Sequence, residues 1–517
     1  MTRRTEALVL ATIVVAVCAP FASSIAFGFT FDDANTILGH RGVGGPLSVD
    51  DLLLRDFWGR SFVNTIGSWR PVVTLGYWLD WHVAHGQPWL FHAHNLALYA
   101  ALVAVQALFL KRFFGQALGH TSRLVAVATA GALAIHADVV PSATGRAEIV
   151  AALFGLLALL APLRENGPLR LREVVLTTGA CILAAGAKES ALPVALLAPL
   201  LAYRWHAARG TDRRGGMIAL AAANAVALSS VVAFRVLRMP WWDLGPDRAT
   251  ENSLLAASPG ARLAGAAEVF VGYLQRLVWP ARLAPDYSYA GIVPGHSPVA
   301  AAIGVGLAGL LFAAGFTNWK RGPGLSDAAI GFAASYVVVS STIVPASAIA
   351  DRLFFFPSFW AVTLAALAVE RLEAPKRRVA GGLAVAFACT QAYVAALDSS
   401  HWRDDVALFT TAIDARPTVV RSRRNLAQAL ADAGRAEDAA WQLTVANAIL
   451  DRYPTPMPAD AFPASWDREP IGARLEELRL KVGAPALNAD LRRAAAAFRH
   501  WGNGDVADLL DAWSGGA

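Results

Sequence analysis

Two adjacent carboxylates, Asp32 and Asp33, follow the first long apolar segment of the chain by a few residues. A carboxylate in a partly desolvated loop can have its pKa raised toward neutrality, and it can then act as a general base. Either acid fits that role, and the sequence does not choose between them. Asp33 has a second interpretation, as the N-cap of a helix in the segment ANTILGH.

Further ionisable residues occur in the polar stretches between apolar segments. Charged groups at membrane depth usually face a hydrated cavity and mark function. Each of them alone also fits a simple structural role, such as a snorkelling arginine or a hydrated hairpin. Their convergence on one side of the membrane would indicate a site. The candidates are Arg70, His92, His136, Asp138, Arg146, Glu148, Lys188, Glu189, Asp286, Asp351 and Arg352.

Apolar helices must position these residues. Of the 517 residues, 56% are hydrophobic and 16% are charged, whereas a soluble protein carries about 25% charged residues. The apolar residues fall into blocks of about 17–25 residues, the length at which a helix spans a bilayer. The sequence therefore predicts an all-α, multi-pass membrane protein. The net charge of +6 is not a nucleic-acid signal, because Lys and Arg lie mostly in short loops between the blocks.

The basic loops also predict the orientation, since positive charge is retained on the cytoplasmic side. Counting crossings between them gives about eleven transmembrane helices, with the N-terminus inside and the C-terminus outside. The apolar block at 265–280 is short and contains Glu268, Gln275 and Arg276, so it is predicted to be interfacial or re-entrant. The paired acids and the other candidates then face the external side.

The chain divides into a transmembrane domain, 1–398, and an external helical domain, 399–517, which we call the tail. In the first, residues 29–89 are predicted to be an external loop with interfacial helices, and 239–297 a second large external loop. The tail has no spanning block. Its segment NLAQALADAGRAEDAAWQLTVANAIL, 425–450, fits one tetratricopeptide (TPR) unit. A plain helical cap without a binding role is the alternative.

Short motifs carry a family resemblance. The chain resembles the GT-C class of membrane glycosyltransferases, and more narrowly the transmembrane-and-TPR-containing O-mannosyltransferases, as a bacterial relative. Each motif is weak alone, and their common order carries the resemblance. After FTFDD (29–33) they are DFWG (56–59), WRPVVTLGYWLD (69–80), FHAHN (91–95), HADVVPSATGRAEIVAALF (136–154), AKESAL (187–192), PDYSY (285–289), ADRLFFFPS (350–358) and HWRDDVALF (401–409).

The resemblance implies a glycosyltransferase that moves mannose or a similar sugar from a polyprenyl-phosphate-linked donor to a hydroxyl of a protein or envelope-glycan acceptor. It implies a catalytic acid in the first external loop, here Asp32 or Asp33, and inversion by direct displacement. Tyr287 of PDYSY joins the substrate-binding candidates. No cofactor is assigned, and a divalent metal is left open. Cationic groups must stabilise the leaving phosphate. The candidates for that role are Arg70, Arg146, Lys188 and Arg352.

The expected location is the inner membrane of a bacterium, with the active site external. Two other classes of function remain open. A transporter or flippase of lipid-linked sugars should have inverted repeats and broken helices at the midplane, and no repeat is evident between the halves. An inactive scaffold would bind a partner through the tail, but intact Asp32 and Asp33 argue against it.

Overall fold

The computed structural model describes residues 2–62, 65, 67–164, 169–211, 214–239, 252, 254, 257–281, 283–288, 297–316, 322–342, 347–452, 471–500 and 504–515. Much of the predicted second external loop, 239–297, therefore lies outside the described residues, which omit 240–251 and 289–296.

Helices make up the regular structure. The predicted all-α class is confirmed, since the described residues contain no strand beyond one isolated bridge between Arg55 and Ser61. In chain order the α-helices are α1 (Arg3–Cys18), α2 (Arg41–Gly44), α3 (Val49–Leu53), α4 (Pro71–Ala84), α5 (Pro88–Phe113), α6 (His120–Gly131), α7 (Arg146–Leu160), α8 (Leu171–Ala187), α9 (Val194–Ala207), α10 (Arg214–Arg238), α11 (Pro259–Val278), α12 (Pro298–Phe316), α13 (Leu325–Val337), α14 (Phe355–Val369), α15 (Ala374–Ser399), α16 (Asp405–Ala415), α17 (Val420–Asp432), α18 (Ala436–Arg452), α19 (Ile471–Val482), α20 (Ala484–His500) and α21 (Gly504–Trp513).

Six described helical segments are long and apolar enough to cross a membrane, so the chain is a multi-pass membrane protein. Helix α11, which contains most of the block predicted not to span, is not among them. The predicted count of about eleven crossings and the orientation stay predictions. The six segments are Arg4–Ala26, Pro88–Phe113, Gly215–Arg238, Pro298–Phe316, Asp351–Val369 and Ala374–Arg403.

Helix α7 lies inside the helix bundle. It packs against α5 and α8, and its buried residues are distributed around the whole helix, as expected of a helix that is apolar on all sides. A Cβ on Gly145 would collide with the carbonyl oxygen of Val139. Glycine therefore allows the segment after the 3₁₀ turn Ala134–Asp138 to fold tightly into α7. Both Asp138 and Glu148 are brought to this end of α7.

The tail has a hydrophobic core of its own. Helices α17 and α18 form the helical hairpin predicted from the repeat, and Gly434 between them adopts a φ of +74°, which glycine tolerates without a Cβ penalty. Leu426 and Ala427 are buried in this core, and Phe27 and Phe31 of the N-terminal region pack against it. The tail is thus in direct contact with the segment that bears the paired acids.

Candidate active site

A polar cavity of about 550 Å³ lies between the segments 31–35, 57–58 and 68–70, the start of α7, the turn after α8 and the tail helix α17. Both acidic and basic side chains line it. Six of the fourteen predicted site residues line it: Asp32, Arg70, Asp138, Glu148, Lys188 and Arg352. Five polar residues of the tail line it as well: Asp405, Arg421, Asn425, Gln428 and Asp432.

Asp33 is a buried structural residue rather than a cavity residue. Its Oδ1 accepts a hydrogen bond from the backbone N–H of Thr144 (2.9 Å), and its Oδ2 accepts one from Thr30 (3.0 Å). Burial raises the pKa of the Asp33 carboxyl to about 7, although the two backbone N–H groups oppose the rise. Asp33 occupies the N-cap position of the short helical turn Ala34–Leu38, but its side chain makes no capping bond. The N-cap interpretation of this side chain is therefore wrong.

Asp32 has the opposite environment. Its carboxylate lines the cavity, and within the described residues it has no hydrogen-bond partner. The guanidinium of Arg352 is close enough to interact electrostatically with it. A carboxylate that faces an open cavity and uses none of its lone pairs is available to accept a proton from a ligand. The geometry thus favours Asp32 over Asp33 as the base.

Arg70 lies at the cavity wall with unused donor capacity. Its guanidinium stacks on the ring of Phe57, 4.5 Å from the centroid, and its Nε is 3.9 Å from Oε2 of Glu189. At that distance the two groups form an ion pair but no hydrogen bond. The buried Nε–H has no acceptor within the described residues. The Arg70 side chain is 18% exposed and lines the cavity, so an anionic ligand there can contact the guanidinium.

Two further cations are each paired with a carboxylate. The backbone N–H of Arg352 donates to Oδ2 of Asp138 (2.9 Å), and its Nη1 is 3.6 Å from the same oxygen. The other carboxylate oxygen of Asp138 is buried and has no described partner. Lys188 pairs with Glu148. The guanidinium of Arg352 is therefore more available to a ligand than the ammonium of Lys188.

Several known proteins have sequences similar to this chain, although no family model matches it. Protein O-mannosyl-transferase F38B6.6 of Caenorhabditis elegans is 25% identical over 446 residues, which cover 81% of this chain and 59% of that protein. Protein O-mannosyl-transferase TMTC3 of Homo sapiens is 31% identical over 160 residues, 30% of this chain and 17% of that protein. The chain is a sequence relative of the protein O-mannosyltransferases. The predicted resemblance is confirmed.

The chain spans less than two thirds of the length of these O-mannosyltransferase relatives. Among solved structures, ArnT from Cupriavidus metallidurans bound to undecaprenyl phosphate aligns with a TM-score of 0.43 and 13% identity, covering 83% of this chain and 73% of that one.

The sequence predicts Arg146 as a phosphate ligand. In the structure, however, its side chain lies away from the cavity, inside the helix bundle. Its side chain is 2% exposed and its Nη2 lies 2.5 Å from Oδ2 of Asp80. Its Nε donates to Oδ1 of Asn95 (2.8 Å). These partners lie on α4 and α5, so Arg146 connects three helices inside the bundle. The structure gives it a structural role.

Three more predicted residues also make contacts outside the cavity. His92 donates through Nε2 to the carbonyl oxygen of Gly28 (3.2 Å). His136 lies with Nδ1 2.8 Å from the hydroxyl of Tyr99, and it is buried. Glu189 accepts a hydrogen bond from Nη2 of Arg235 (3.0 Å). Of the three, Glu189 is the one that contacts a cavity residue, through its ion pair with Arg70.

Asp351 and Tyr287 support the cavity from behind. The hydroxyl of Tyr287 donates to Oδ2 of Asp351 (2.6 Å), and Nε of Arg276 donates to Oδ1 (2.9 Å). Asp351 is buried and directly precedes Arg352. This network therefore fixes the backbone that carries the Arg352 guanidinium.

The tail residues of the cavity were not predicted as site residues. The sequence signal nearest to them was the motif HWRDDVALF, which contains Asp405 and to which no role was assigned. Within the described residues, no group of three or more His, Cys, Asp or Glu side chains is arranged to hold a metal ion. The divalent metal left open by the sequence stays untested.

Proposed function

We propose that the protein is a glycosyltransferase that moves mannose or a similar sugar from a polyprenyl-phosphate-linked donor to a hydroxyl of a polypeptide. The reaction takes place at the external face of a bacterial inner membrane, with the N-terminus cytoplasmic and the tail external. One observation carries the proposal: the carboxylate of Asp32, which accepts no described hydrogen bond, shares a cavity with Arg70, Lys188 and Arg352. The similarity to protein O-mannosyltransferases supports mannose as the sugar and a protein, rather than an envelope glycan, as the acceptor.

Asp32 acts as the general base. It takes the proton of the acceptor hydroxyl while the hydroxyl oxygen forms a bond to the anomeric carbon of the donor sugar. On the opposite side of that carbon, the bond to the phosphate oxygen breaks. The electron pair leaves with the polyprenyl phosphate, and the configuration of the sugar inverts.

The leaving phosphate binds Arg70 and Arg352. Charge builds up on the phosphate oxygens as the bond breaks, so cationic donors stabilise the transition state more than the ground state. The Arg70 side chain is 18% exposed at the cavity wall, so its guanidinium can donate to such an oxygen. Lys188 contributes less, because Glu148 already neutralises it. Asp138 also lines the cavity, and in this proposal its carboxylate accepts a hydrogen bond from a sugar hydroxyl.

An apolar groove beside Arg70 suits the lipid chain of the donor. The groove, about 740 Å³, is lined by side chains of α8 and α10 and by Trp69. The ring of Trp69 packs on that of Phe234 at 4.8 Å, and Trp69 directly precedes Arg70. A polyprenyl chain bound in this groove would end near Arg70, because Trp69 lines the groove and Arg70 follows it.

The test compares the envelope of a strain that has the gene with that of a deletion strain, using mass spectrometry of both glycoproteins and envelope glycans. We expect hexose-modified Ser or Thr peptides to disappear on deletion. Wild-type protein should restore them, and the D32N variant should not. If deletion instead removes an envelope glycan and leaves the glycopeptides intact, the acceptor is a glycan rather than a protein. Identical profiles in both strains would refute the proposed activity.

A further inference from the structure

The backbone directly before the proposed base has an unusual conformation. Phe31 adopts a φ of +53°, in the left-handed region that a residue with a Cβ rarely enters. The turn is tight, since the N–H of Asp33 donates to the carbonyl of Thr30 (3.0 Å). Such a conformation persists where the surroundings hold it, and it is concentrated at functional sites.

The tail holds Phe31 through three contacts. The backbone N–H of Phe31 donates to Oδ1 of Asp405 (2.7 Å). Its ring meets that of Phe409 edge-on, with centroids 5.5 Å apart, and the guanidinium of Arg421 lies 5.6 Å from its centroid. All three partners belong to α16 and α17.

The Asp405 carboxylate is committed to this contact rather than to its own helix. Asp404 is the N-cap of α16 and accepts from the N–H of Ala407 (2.8 Å). Among the described residues, the N–H of Phe31 is the hydrogen-bond partner of Asp405. Burial raises the pKa of the Asp405 carboxyl, so the contact holds a carboxyl group that water no longer fully solvates.

Asp32 therefore lies between two fixed neighbours. Asp33 is held to the membrane domain by Thr144, and Phe31 is held to the tail by Asp405, while the Asp32 side chain itself has no described partner. We infer that Asp405 is a positioning residue: it fixes the left-handed turn at Phe31 and so sets the direction in which the Asp32 carboxylate enters the cavity. This inference rests on the proposed function.

The consequence is that the tail is part of the catalytic centre. Misplacing a reacting group by about 1 Å can cost roughly 10²-fold in rate. Loss of the Asp405 acceptor should therefore reduce kcat without a matching change in donor KM, since the donor phosphate binds cations that Asp405 does not contact. If the tail merely covered the membrane domain, loss of the Asp405 acceptor would not lower kcat selectively over donor KM.

The test uses the full-length protein in lipid nanodiscs, with polyprenyl-phosphate-mannose as donor and a Ser/Thr peptide as acceptor. D405A should lower kcat roughly 10- to 100-fold, with donor KM within about twofold of wild type. D405N keeps an acceptor oxygen and should restore most of kcat. The matched control is S422A, which removes the hydrogen bond from Ser422 to Asp286 (3.0 Å) at the same interface without a contact to Phe31.

Hydrogen exchange at the Phe31 amide gives a readout that is independent of activity. The amide should exchange faster in D405A than in wild type, and D405N and S422A should keep its protection. Unchanged exchange in D405A would overturn the inference, as would S422A losing as much kcat as D405A. Wild-type protein that transfers no sugar would instead overturn the proposed function, and the positioning role would fall with it.

Discussion

Arg421 of the tail binds Asp286 of the membrane domain with two hydrogen bonds, from Nε to Oδ2 (2.9 Å) and from Nη2 to Oδ1 (2.5 Å). Asp286 is 2% exposed. Burial raises the pKa of Asp286, but the charge and hydrogen bonds of Arg421 outweigh it, so that pKa lies below its ordinary value. The tail is thus tied to the PDYSY segment by a buried, charge-assisted contact.

Replacing Arg421 by Met should destabilise the protein, because it leaves a buried carboxylate without its cation. Breaking such a pair typically costs about 3–5 kcal/mol, which should lower the Tm in detergent by several degrees. Arg424 on the same helix is exposed, and R424A is the matched control with an unchanged Tm. Equal Tm values for R421M and R424A would mean that the pair does not hold the tail in place.

The D32N variant should be nearly inactive while remaining folded. It removes the charge of the proposed base at nearly constant size, and loss of general-base catalysis costs roughly 10²–10⁴ in rate. The Asp32 carboxylate has no described hydrogen bond to lose, so the Tm should stay within about 1 °C of wild type. D50N is the control, since Asp50 is an exposed acid of the same loop. Wild-type transfer by D32N would refute the mechanism.

Asp33 should make stability depend on pH. Its pKa is raised by burial from the ordinary 3.8 to about 7 in the fold, and the charges of Asp32 and Asp405 add to the rise. A raised pKa means that the folded state holds the proton more tightly. The contribution of Asp33 to the free energy of unfolding is therefore fully present below pH 3.8, and it is lost as pH rises through 7.

The non-titrating D33N variant isolates this effect. D33N loses one backbone hydrogen bond at every pH, which lowers its Tm by a constant amount. We expect the Tm of wild type minus that of D33N to shrink steadily between pH 4 and pH 8. A difference that stays constant over this range would show that Asp33 is ionised in the fold at all of these pH values.

Local patterns in the sequence predicted much of the fold and part of the site. Apolar blocks predicted the helices, and the FTFDD motif located the acids, because both signals lie within a few consecutive residues. The choice between Asp32 and Asp33 needed the contact to Thr144, 111 residues away. The contact from Phe31 to Asp405 joins residues 374 positions apart. Such distant pairs leave no periodic signal in a single sequence, which is why the tail was predicted as a separate unit.

Arg70 and Arg146 illustrate the same limit and allow a direct comparison. The sequence offers both as phosphate ligands, whereas the structure places Arg70 at the cavity wall with an unpaired Nε–H and Arg146 among α4, α5 and α7 against Asp80. R70Q should weaken binding of polyprenyl phosphate about tenfold or more with little change in Tm, since a charge-assisted hydrogen bond contributes about 1.5–3 kcal/mol. R146Q should lower the Tm strongly, because buried Asp80 loses the Arg146 guanidinium and keeps the imidazole of His94 as its remaining described partner.

Titration of polyprenyl phosphate into each variant, in parallel with thermal unfolding, separates the two roles. The double variant D80N/R146Q removes both charges together and should recover part of the Tm lost in R146Q, as expected when an uncompensated buried charge causes the loss. R70Q should gain nothing from D80N. If R146Q keeps a wild-type Tm and instead loses affinity for polyprenyl phosphate, the phosphate site lies at Arg146, and the cavity between Asp32 and Arg352 is not where the donor binds.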